Sequence, residues 1–296
     1  MQRRYKPTAK GYFSGCGGFE IGAIQAGVRM LQSLDIDPGA TEIMKANPGY
    51  FSHDILTGDI KDVKVKDQPD TDIIISAYPC TKYSSIADIR GTRTGDDLFL
   101  HFFRHVAIER PEMYIVENVP GMKKFPVVME AMTKLPEYFV SVVCPVNASN
   151  WLPQERKRLI IIGTRKPLYV FHPTHGMRPK LKQILEKDPV YEIPDYVKTR
   201  LNGGYRDRPI IVDPDNPNAL APTCVAHYSK DLSTRMVKHD NEYGARPFTI
   251  REYARLQGFP DDFVFPEKRS SYMYIGNAVP VDMGRWACEQ AIRYFN

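Results

Sequence analysis

Paired cysteines, clustered histidines and long apolar runs are all missing from this chain of 296 residues. Its five cysteines stand far apart and never form a C-x-x-C pair, which argues against a disulfide framework and against a zinc site. The seven histidines show no ligand-like spacing, so we expect no structural metal. No apolar run approaches the roughly 20 residues that span a bilayer, and no apolar signal core follows the basic N-terminal segment. We therefore expect a cytoplasmic protein with reduced thiols and no membrane partner.

What the composition does contain is ordinary for a globular protein. Hydrophobic residues make up 43% of the chain and charged residues 25%, and the length is sufficient to bury a large core. The net charge of +5 favours a polyanionic partner only weakly, since ordinary surface charge explains it equally well. Composition alone therefore leaves the function open.

In the first half of the chain, short apolar runs alternate with amphipathic stretches. The predicted strands are KGYFSG, RMLQSLDI, DIIISAYP, MYIVENV and LIIIGT, and the predicted helices are FEIGAIQAG, ATEIMKAN, LFLHFFRHVAIERP and PVVMEAMTKL. Fully apolar strands that alternate with helices are typical of a parallel sheet covered on both faces. We therefore predict an α/β fold with an open, doubly wound, mostly parallel sheet, whose ligands bind at the carboxyl ends of the strands.

The sequence changes character beyond residue 165. Residues 166–246 are rich in proline and show little periodicity, which indicates a small, loop-rich module. Helical periodicity returns at RPFTIREYARLQGFP, and MGRWACEQAIRYF predicts a terminal helix. The predicted organisation is a catalytic and cofactor-binding domain over residues 1–165, a small domain over 166–246, and a segment over 247–296 that returns to the first domain.

Glycines follow the first predicted strand in FSGCGG, where they permit a tight turn and let backbone amides approach a ligand at a helix N-terminus. The spacing is not the dinucleotide fingerprint, because Glu20 stands at the place of the third glycine. Asp35 or Asp37 is placed to bind a ribose, and Asp59 to accept from an exocyclic amine. A structural turn and solvated loop carboxylates are the alternatives. If functional, these residues form a pocket for an adenosine-bearing cofactor, either a nicotinamide or a methyl donor.

A cysteine in AYPCTKYSS favours the methyl donor. Cys80 follows Pro79 at the end of an apolar strand, where a cysteine is more often core filler than a nucleophile. The next strand, however, ends in Glu117, and burying a carboxylate costs several kcal/mol unless it is paired or protonated. A buried carboxyl group beside a thiol suggests a covalent site with an acid next to it.

Alternating polar residues enter another strand in PQERKRLIIIG. Gln154, Arg156 and Arg158 stand at every second position, and alternate residues of a strand face the same side. The two arginines are therefore placed to face one anion, although an exposed charged face is an equally good interpretation.

Taken together, these motifs resemble those of the DNA cytosine-5 methyltransferases of the bacterial modification type. FSGCGGFEIG resembles that family's cofactor motif, PC at 79–80 its nucleophile, ENV at 117–119 its catalytic glutamate, and QERKR at 154–158 its Q-x-R-x-R. RPFTIREYARLQGFP resembles the stretch after the variable region, and YIGNAVP at 274–280 the last cofactor-contacting motif. The match keeps the family's order across nearly the whole chain. It implies a Rossmann-like S-adenosylmethionine-dependent methyltransferase with a target-recognition domain over residues 166–246.

The resemblance implies methyl transfer from S-adenosylmethionine to carbon 5 of a cytosine flipped out of duplex DNA, with S-adenosylhomocysteine as the product. The implied catalytic residues are Cys80, Glu117, Arg156 and Arg158. The implied cofactor-binding residues are Phe13, Gly15, Gly17, Gly18, Asp35, Ile36, Asp59, Ile60, Pro79, Leu98, Asn277 and Ala278. The implied DNA contacts are Ser84, Arg90, Arg93, Gln154 and Thr223, with residues 82–97 as a loop that closes over the base. We expect a monomer whose partners are double-stranded DNA and a cognate restriction endonuclease.

Departures from the family pattern leave alternatives. Thr81 follows the cysteine where the family usually has glutamine, Gly11 stands where aspartate is frequent, and Ile36 stands where an aromatic residue is frequent. A nicotinamide-dependent oxidoreductase would share the sheet, but it needs the third glycine and has no use for Cys80 beside Glu117. An inactive nucleic-acid-binding relative is a second alternative. The third is the same chemistry on transfer RNA, which one branch of the family performs.

Overall fold

The computed structural model describes residues 5–79, 98–174, 176–203 and 209–296. The chain folds into two compact units, which are described separately. The first unit comprises Met1–Asn147, Lys157–Pro173 and Val281–Asn296, and the second comprises Ala148–Arg156 and Thr174–Pro280. The roles predicted for residues 1–165, 166–246 and 247–296 stay predictions. No helix in the described part of the chain is long and apolar enough to cross a membrane.

A seven-stranded sheet forms the centre of the first unit. Its strands are β1 (Thr8–Tyr12), β2 (Arg29–Asp35), β3 (Asp54–Thr57), β4 (Ile73–Ser76), β5 (Met113–Asn118), β6 (Phe139–Asn147) and β7 (Lys157–Thr164). They lie in the order β3-β2-β1-β4-β5-β7-β6, and β7 runs antiparallel to both of its neighbours while the first five strands are parallel. The predicted α/β fold with a mostly parallel sheet is therefore confirmed.

In the first unit, helices alternate with the strands in the chain order that the apolar periodicity predicts. Across both units the described residues form nine α-helices. They are α1 (Gly18–Ala26), α2 (Pro38–Lys45), α3 (Leu98–Glu109), α4 (Pro126–Thr133), α5 (Leu181–Ile184), α6 (Asp195–Leu201), α7 (Ile250–Leu256), α8 (Ser271–Asn277) and α9 (Val281–Phe295). Helices α1–α4 and α9 belong to the first unit, and α5–α8 to the second. Ile73, Ile74 and Ile75 of β4 are at most 1% exposed, so this central strand is buried on both faces. Phe102 and Val106 of α3 belong to the same hydrophobic core.

The order of the strands reverses between β1 and β4. From β1 the chain passes through α1 to β2, on one side of β1, and it later returns to β4 on the other side. In open α/β sheets this reversal opens a crevice at the carboxyl ends of the two strands. In this chain those ends are Tyr12 and Ser76. The motifs FSGCGG and AYPC, which the sequence analysis singled out, begin at this edge of the sheet.

Two edge strands escaped the sequence analysis. Strand β3 has four residues and is mostly exposed, so it carries no apolar run. Strand β6 is half exposed, and Pro145 interrupts its apolar pattern. A proline lacks the N–H that a central strand donates, so its position in β6 fits the edge of the sheet. Apolar periodicity is the main strand signal, and it is weakest in edge strands.

A small three-stranded sheet lies in the second unit. Its strands are β8 (Ile211–Val212), β9 (Met236–Lys238) and β10 (Ala245–Pro247), in the order β10-β9-β8. Strands of two or three residues are too short to show an alternating pattern, which explains why the sequence analysis found only loops here. Three buried tyrosines pack nearby, and the rings of Tyr228 and Tyr253 stack with centroids 4.7 Å apart while Tyr272 meets both edge-on.

Helices α1 and α9 pack at backbone contact, which generates a stability prediction. A Cβ added to Gly22 of α1 would lie 2.5 Å from both Val281 O and Arg285 N of α9. We expect Gly22→Ala to lower the free energy of unfolding by about 1–3 kcal/mol, because backbone cannot move aside as a side chain can. Urea denaturation measures the change. Gly49→Ala is the matched control, because a Cβ there meets no atom within 4 Å. Equal stability of the two variants would contradict the close packing.

Candidate active site

The loop between β1 and α1, residues 13–18, has an unusual backbone. Phe13, Gly15 and Gly17 all have positive φ, at 59°, 54° and 87°. A side chain at Gly17 would also collide with the ring of Phe51, whose Cζ lies 2.4 Å from the Cβ position. Positive φ costs energy in a phenylalanine, and such strain concentrates at functional sites. The loop turns sharply enough for α1 to begin at Gly18, and the cap residue Gly17 has no side chain to cover the start of the helix at the end of β1.

The Asp35 carboxylate fastens this loop to the end of β2. Its Oδ2 accepts a hydrogen bond from the Gly15 amide at 2.7 Å, and its Oδ1 accepts one from the Asp37 amide at 2.9 Å. Burial raises the pKa of Asp35, and these two amides offset part of that rise. Each oxygen can still accept a second hydrogen bond, which fits the two hydroxyls of a ribose. Asp37 instead caps α2 by accepting from the Gly39 amide at 2.8 Å, so Asp35 is the acid that faces the glycine loop.

The remaining predicted cofactor residues of the first unit lie after strands β2, β3 and β4 or at the start of α3. Ile36 is 61% exposed, so its apolar side chain is available to the face of a base. Asp59 follows β3, and its Oδ1 accepts from the Lys61 amide at 3.0 Å. Ile60 is only 4% exposed and belongs to the hydrophobic core. Pro79 follows β4 and is exposed, and Leu98 begins α3. Acid, exposed apolar surface and backbone amides on adjacent strands fit an adenosyl methyl donor.

Glu20 sits at this edge without being part of the predicted site. It is 1% exposed, and a Cβ added to Gly11 would lie 2.3 Å from its Oε1. Its carboxyl group therefore occupies the space that a side chain at Gly11 would need, which explains why a larger residue does not stand there. Among the described residues, Glu20 Oε2 has no hydrogen-bond partner. Burial raises the pKa of Glu20 to about 7.

This shift predicts how the stability of the protein depends on pH. The folded-state pKa of about 7 lies above the ordinary value of 4.5, so folding favours the protonated carboxyl group. The stabilisation is complete below about pH 4.5 and is lost as the pH rises through about 7. Glutamine imitates the protonated form at every pH. We therefore compare the free energies of unfolding of Glu20→Gln and the wild type. Their difference is expected to shift in favour of Glu20→Gln by up to about 3 kcal/mol as the pH rises from 5 to 8.

Urea denaturation of both proteins at several pH values in this range measures the difference. Comparing the two proteins removes most of the contribution of nearby Asp35, whose burial also raises its pKa. Cys16 and Cys288, the other titratable neighbours, have pKa values raised by burial and stay neutral over the range. A difference that does not change with pH would contradict the assignment.

Two of the predicted catalytic residues meet at the end of β5. Glu117 is 7% exposed, and Arg158 Nε of the adjacent strand β7 lies 2.7 Å from its Oε1. The Arg158 guanidinium also donates through Nη1 to the Lys157 carbonyl at 2.8 Å. A buried carboxylate requires such a partner to offset its loss of hydration. The strand pairing therefore places an acid and a permanent cation side by side at the carboxyl end of a central strand.

Asn118 is a residue to which the sequence analysis assigned no role. Its Nδ2 donates to the Tyr78 carbonyl at 3.1 Å, and its Oδ1 accepts from the Val119 amide at 2.9 Å. The Tyr78 hydroxyl donates to Met122 Sδ at 3.3 Å, so both ends of this tyrosine are held. The signal was a polar side chain at the end of an apolar strand. Asn118 thereby fixes the backbone that leads into Pro79 and Cys80.

Four predicted site residues and the loop predicted over residues 82–97 lie in the part of the chain that the structure does not describe. Cys80, Ser84, Arg90 and Arg93 lie outside the described residues. Their assigned functions stay predictions.

Arg156 forms the centre of a buried network in the second unit. It is 3% exposed, and its Nη1 donates to the Cys224 carbonyl at 2.6 Å. Its Nη2 donates to the carbonyls of Gly276 and Ala278 at 3.2 and 2.9 Å. Their alternation in the sequence predicts that Arg156 and Arg158 face one anion. In the structure, Arg156 binds backbone carbonyls and Arg158 binds the Glu117 carboxylate. Arg156 instead joins the segment around Cys224 to the end of α8, where the predicted cofactor residues Asn277 and Ala278 stand.

Gln154 belongs to the same network. It is completely buried, and its Nε2 donates to Leu256 O at 2.7 Å and to Gln257 Oε1 at 3.0 Å. Its Oε1 accepts from the Cys224 amide at 2.8 Å. The sequence analysis expected Gln154 to contact DNA, but a fully buried amide with these partners is not available to DNA in this conformation. Thr223 is half-buried, and its hydroxyl donates to the Glu155 carbonyl at 2.7 Å.

Comparison with known proteins adds independent information. The model of the family described as C-5 cytosine-specific DNA methylase matches residues 11–219 and 214–293. Type II methyltransferase M1.ScrFI of Lactococcus lactis subsp. cremoris is 31% identical over 301 residues, covering 91% of this chain and 74% of that protein. Type II methyltransferase M.BsuFI of Bacillus subtilis is 31% identical over 313 residues, covering 96% and 72%. The Entamoeba histolytica methyltransferase EhMeth superposes with a TM-score of 0.82 over 99% of both chains at 17% identity, a likeness of fold alone.

Proposed function

The chain belongs to the C-5 cytosine-specific DNA methylase family as a DNA cytosine-5-methyltransferase, and on that premise we propose that it methylates a cytosine flipped out of a specific duplex sequence, with S-adenosylmethionine as the donor. The observation that carries the proposal is the ion pair of Glu117 and Arg158 at the end of β5. It lies on the strand next to the one that leads into Cys80. A nicotinamide-dependent oxidoreductase has no use for that arrangement.

Cys80 activates the ring in the proposed mechanism. Carbon 5 of cytosine is a weak nucleophile, so the Cys80 thiolate first forms a bond to carbon 6 and the displaced electron pair moves to carbon 5. The base must leave the duplex for this step, because carbon 6 is not accessible inside the stack. A free thiol has a pKa of about 8.5, so the thiolate needs a nearby cation or a proton acceptor. Among the described residues, Arg158 is our candidate for the cation that favours the thiolate.

Glu117 stabilises the ring while the thiolate adds. In a protonated or proton-sharing form, Glu117 donates to ring nitrogen 3 and accepts from the exocyclic amine. Such general-acid assistance contributes roughly 10²–10⁴-fold to the rate. Arg158 holds the carboxyl group in place, and Asn118 holds the backbone before Pro79 and Cys80. When bound, S-adenosylmethionine supplies the electrophilic methyl group for carbon 5. A base then removes the carbon-5 proton, the ring double bond re-forms, and the thiolate leaves.

The donor pocket follows from the same edge of the sheet. We assign the ribose hydroxyls to Asp35, the faces of the adenine to Phe13 and Ile36, and the exocyclic amine to Asp59. The backbone of the glycine loop, including Gly15, Gly17 and Gly18, lines the amino-acid end. Ile60, Pro79 and Leu98 complete the proposed set in the first unit, while the cofactor role of Asn277 and Ala278 in the second unit stays a prediction. The support comes from the adjacent strands β1, β2 and β3. Asp35 ends β2, Phe13 and Ile36 directly follow β1 and β2, and Asp59 is the second residue after β3.

The relatives M1.ScrFI and M.BsuFI are named Type II methyltransferases, which supports a role in a restriction-modification system. The cognate restriction endonuclease, the monomeric state and the cytoplasmic location stay predictions. The same chemistry on transfer RNA is the competing function, and an experiment separates it from the methylation of DNA.

The central prediction is covalent trapping on fluorinated DNA. In duplexes that carry 5-fluorocytosine at the target, fluorine cannot leave as a cation, so the methylated adduct of Cys80 has no exit. We expect a protein–DNA band that survives denaturing electrophoresis and requires S-adenosylmethionine. Cys80→Ser is the matched control, because a hydroxyl of much higher pKa cannot supply the nucleophile at neutral pH.

The target sequence for these duplexes comes from locating label transferred from tritiated donor into DNA of varied sequence. Transfer RNA is supplied in parallel. Absence of the band on a sequence that is otherwise methylated would contradict the covalent scheme. Turnover by Cys80→Ser would do the same. If the label enters only the transfer RNA, the substrate is transfer RNA and the proposal of DNA as substrate is wrong.

A second prediction separates sequence reading from phosphate binding. We propose that Thr223 contacts a base edge and Arg93 a phosphate. Thr223→Ala is therefore expected to cost about 1–3 kcal/mol on the matched duplex only. Arg93→Ala is expected to weaken binding on all duplexes alike and to reduce the salt slope by about 0.9 per phosphate.

Binding to matched and mismatched duplexes over a salt series measures both effects. Thr223→Ser is the control, because it keeps the hydroxyl that donates to Glu155 O. Uniform weakening by Thr223→Ala, or altered sequence preference in Arg93→Ala, would reverse the two assignments.

A further inference from the structure

Helix α3 reaches a predicted cofactor segment through one side chain. Arg104 Nη2 donates to the carbonyls of Ile60 and Val63 at 2.8 and 2.9 Å. Both carbonyls belong to residues 58–63, here named the Asp59 segment. Arg104 is half-buried, and its Nε has no hydrogen-bond partner among the described residues. Nη2 also lies 3.5 Å from His105 Nε2, so its two shorter described hydrogen bonds both go to the carbonyls of one loop.

The Asp59 segment is held at its other end by β2. The Gly58 amide donates to the Asp35 carbonyl at 2.9 Å. Between the two anchors the segment makes a turn, because the amide of Asp62 donates to Asp59 O at 3.0 Å. The Asp59 Oδ1 accepts from the Lys61 amide at 3.0 Å, which orients the carboxylate and leaves Oδ2 for another donor. The direction of this carboxylate therefore depends on where both ends of the segment are fixed.

Helix α3 is itself fixed to β1 by buried polar pairs, so it can serve as a rigid anchor. His105 Nδ1 lies 2.9 Å from the Tyr12 hydroxyl, and Glu109 forms an ion pair with Lys10. Lys10 and His105 are completely buried. Breaking a buried pair of this kind is costly, which keeps the helix in one position relative to the strand. Arg104 transmits that position to the Asp59 segment.

We propose that Arg104 is a positioning residue for the methyl donor, which sets Asp59 at the place where the exocyclic amine of the adenine arrives. The inference rests on the proposed function, in which Asp59 accepts from that amine. Arg104 itself touches neither donor nor DNA in this scheme. Its effect is on recognition of one ligand group, and this distinguishes it from a general contribution to stability.

The test compares two ligands that differ at that group. S-adenosylhomocysteine carries the amine, and S-inosylhomocysteine carries a carbonyl oxygen in its place. Calorimetric titration of the full chain with each ligand gives the preference, defined as the ratio of the two dissociation constants. The wild type is expected to prefer the adenosyl ligand by at least about tenfold, because a site that binds an N–H group rejects an analogue without it. Arg104→Met, which keeps the apolar stem, is expected to reduce the preference to less than about threefold.

Two further variants complete the design. Arg104→Lys is expected to keep an intermediate preference, because an ammonium group can still donate to one of the carbonyls. Arg110→Met is the matched control, since Arg110 follows the same helix but pairs with Glu137. It is expected to retain the wild-type preference. Should Arg104→Met fail to fold by circular dichroism, Arg104→Lys carries the test.

Each outcome has a defined meaning. If the Arg104 variants weaken both ligands equally and the preference is unchanged, Arg104 is merely structural and the inference is overturned while the proposed function stands. If the wild type binds both ligands equally well, the role of Asp59 is wrong and the inference falls with it. If the wild type binds neither ligand, the proposed donor itself is wrong.

Discussion

The reversal of strand order between β1 and β4 is the constraint on which the candidate site depends. Parallel strands deliver their carboxyl ends to one edge, and the reversal keeps that edge open because the connections on its two sides diverge. The glycine loop after Tyr12 and the segment that leads to Cys80 start on either side of it. The topology thus brings the starts of the two segments proposed for the donor pocket and the nucleophile to one edge of the sheet before any side chain is considered.

Buried polar groups at that edge are paired with backbone, and this pairing gives the site its geometry. Asp35 accepts from the Gly15 amide of the glycine loop, Asn118 donates to the carbonyl of Tyr78, and Arg104 donates to carbonyls of the Asp59 segment. An unpaired group in such surroundings costs about 1–3 kcal/mol, so each of these side chains holds a loop that has no regular structure of its own. Glu20 has one oxygen without a hydrogen-bond partner among the described residues, and burial favours its protonated form.

In the second unit the same device serves a different purpose. Gln154 and Arg156 start from a segment that the sequence pattern assigns to anion or DNA contacts, yet both are buried and bind backbone. Gln154 accepts from the amide of Cys224, and Arg156 donates to the carbonyl of Cys224 and to a carbonyl at the end of α8. Cys224 directly follows Thr223 in the chain. The residues of Q-E-R-K-R therefore have two kinds of partner: Gln154 and Arg156 bind groups within the second unit, while Arg158 pairs with the acid of β5.

The sequence by itself determined the sheet, because central strands such as β4 are apolar throughout and have to be covered on both faces. It also predicted a functional role for Glu117, since a carboxylate at the end of a buried strand needs a partner or a function. Only the tertiary structure decided the partners. Arg156 and Arg158 are indistinguishable by spacing, and β7 alone brings one of them to Glu117 while the other turns to backbone carbonyls. The periodicity of apolar and polar residues along the chain predicts which segments form strands. Side-chain partners depend on contacts between residues far apart in the sequence, and that periodicity does not encode those contacts.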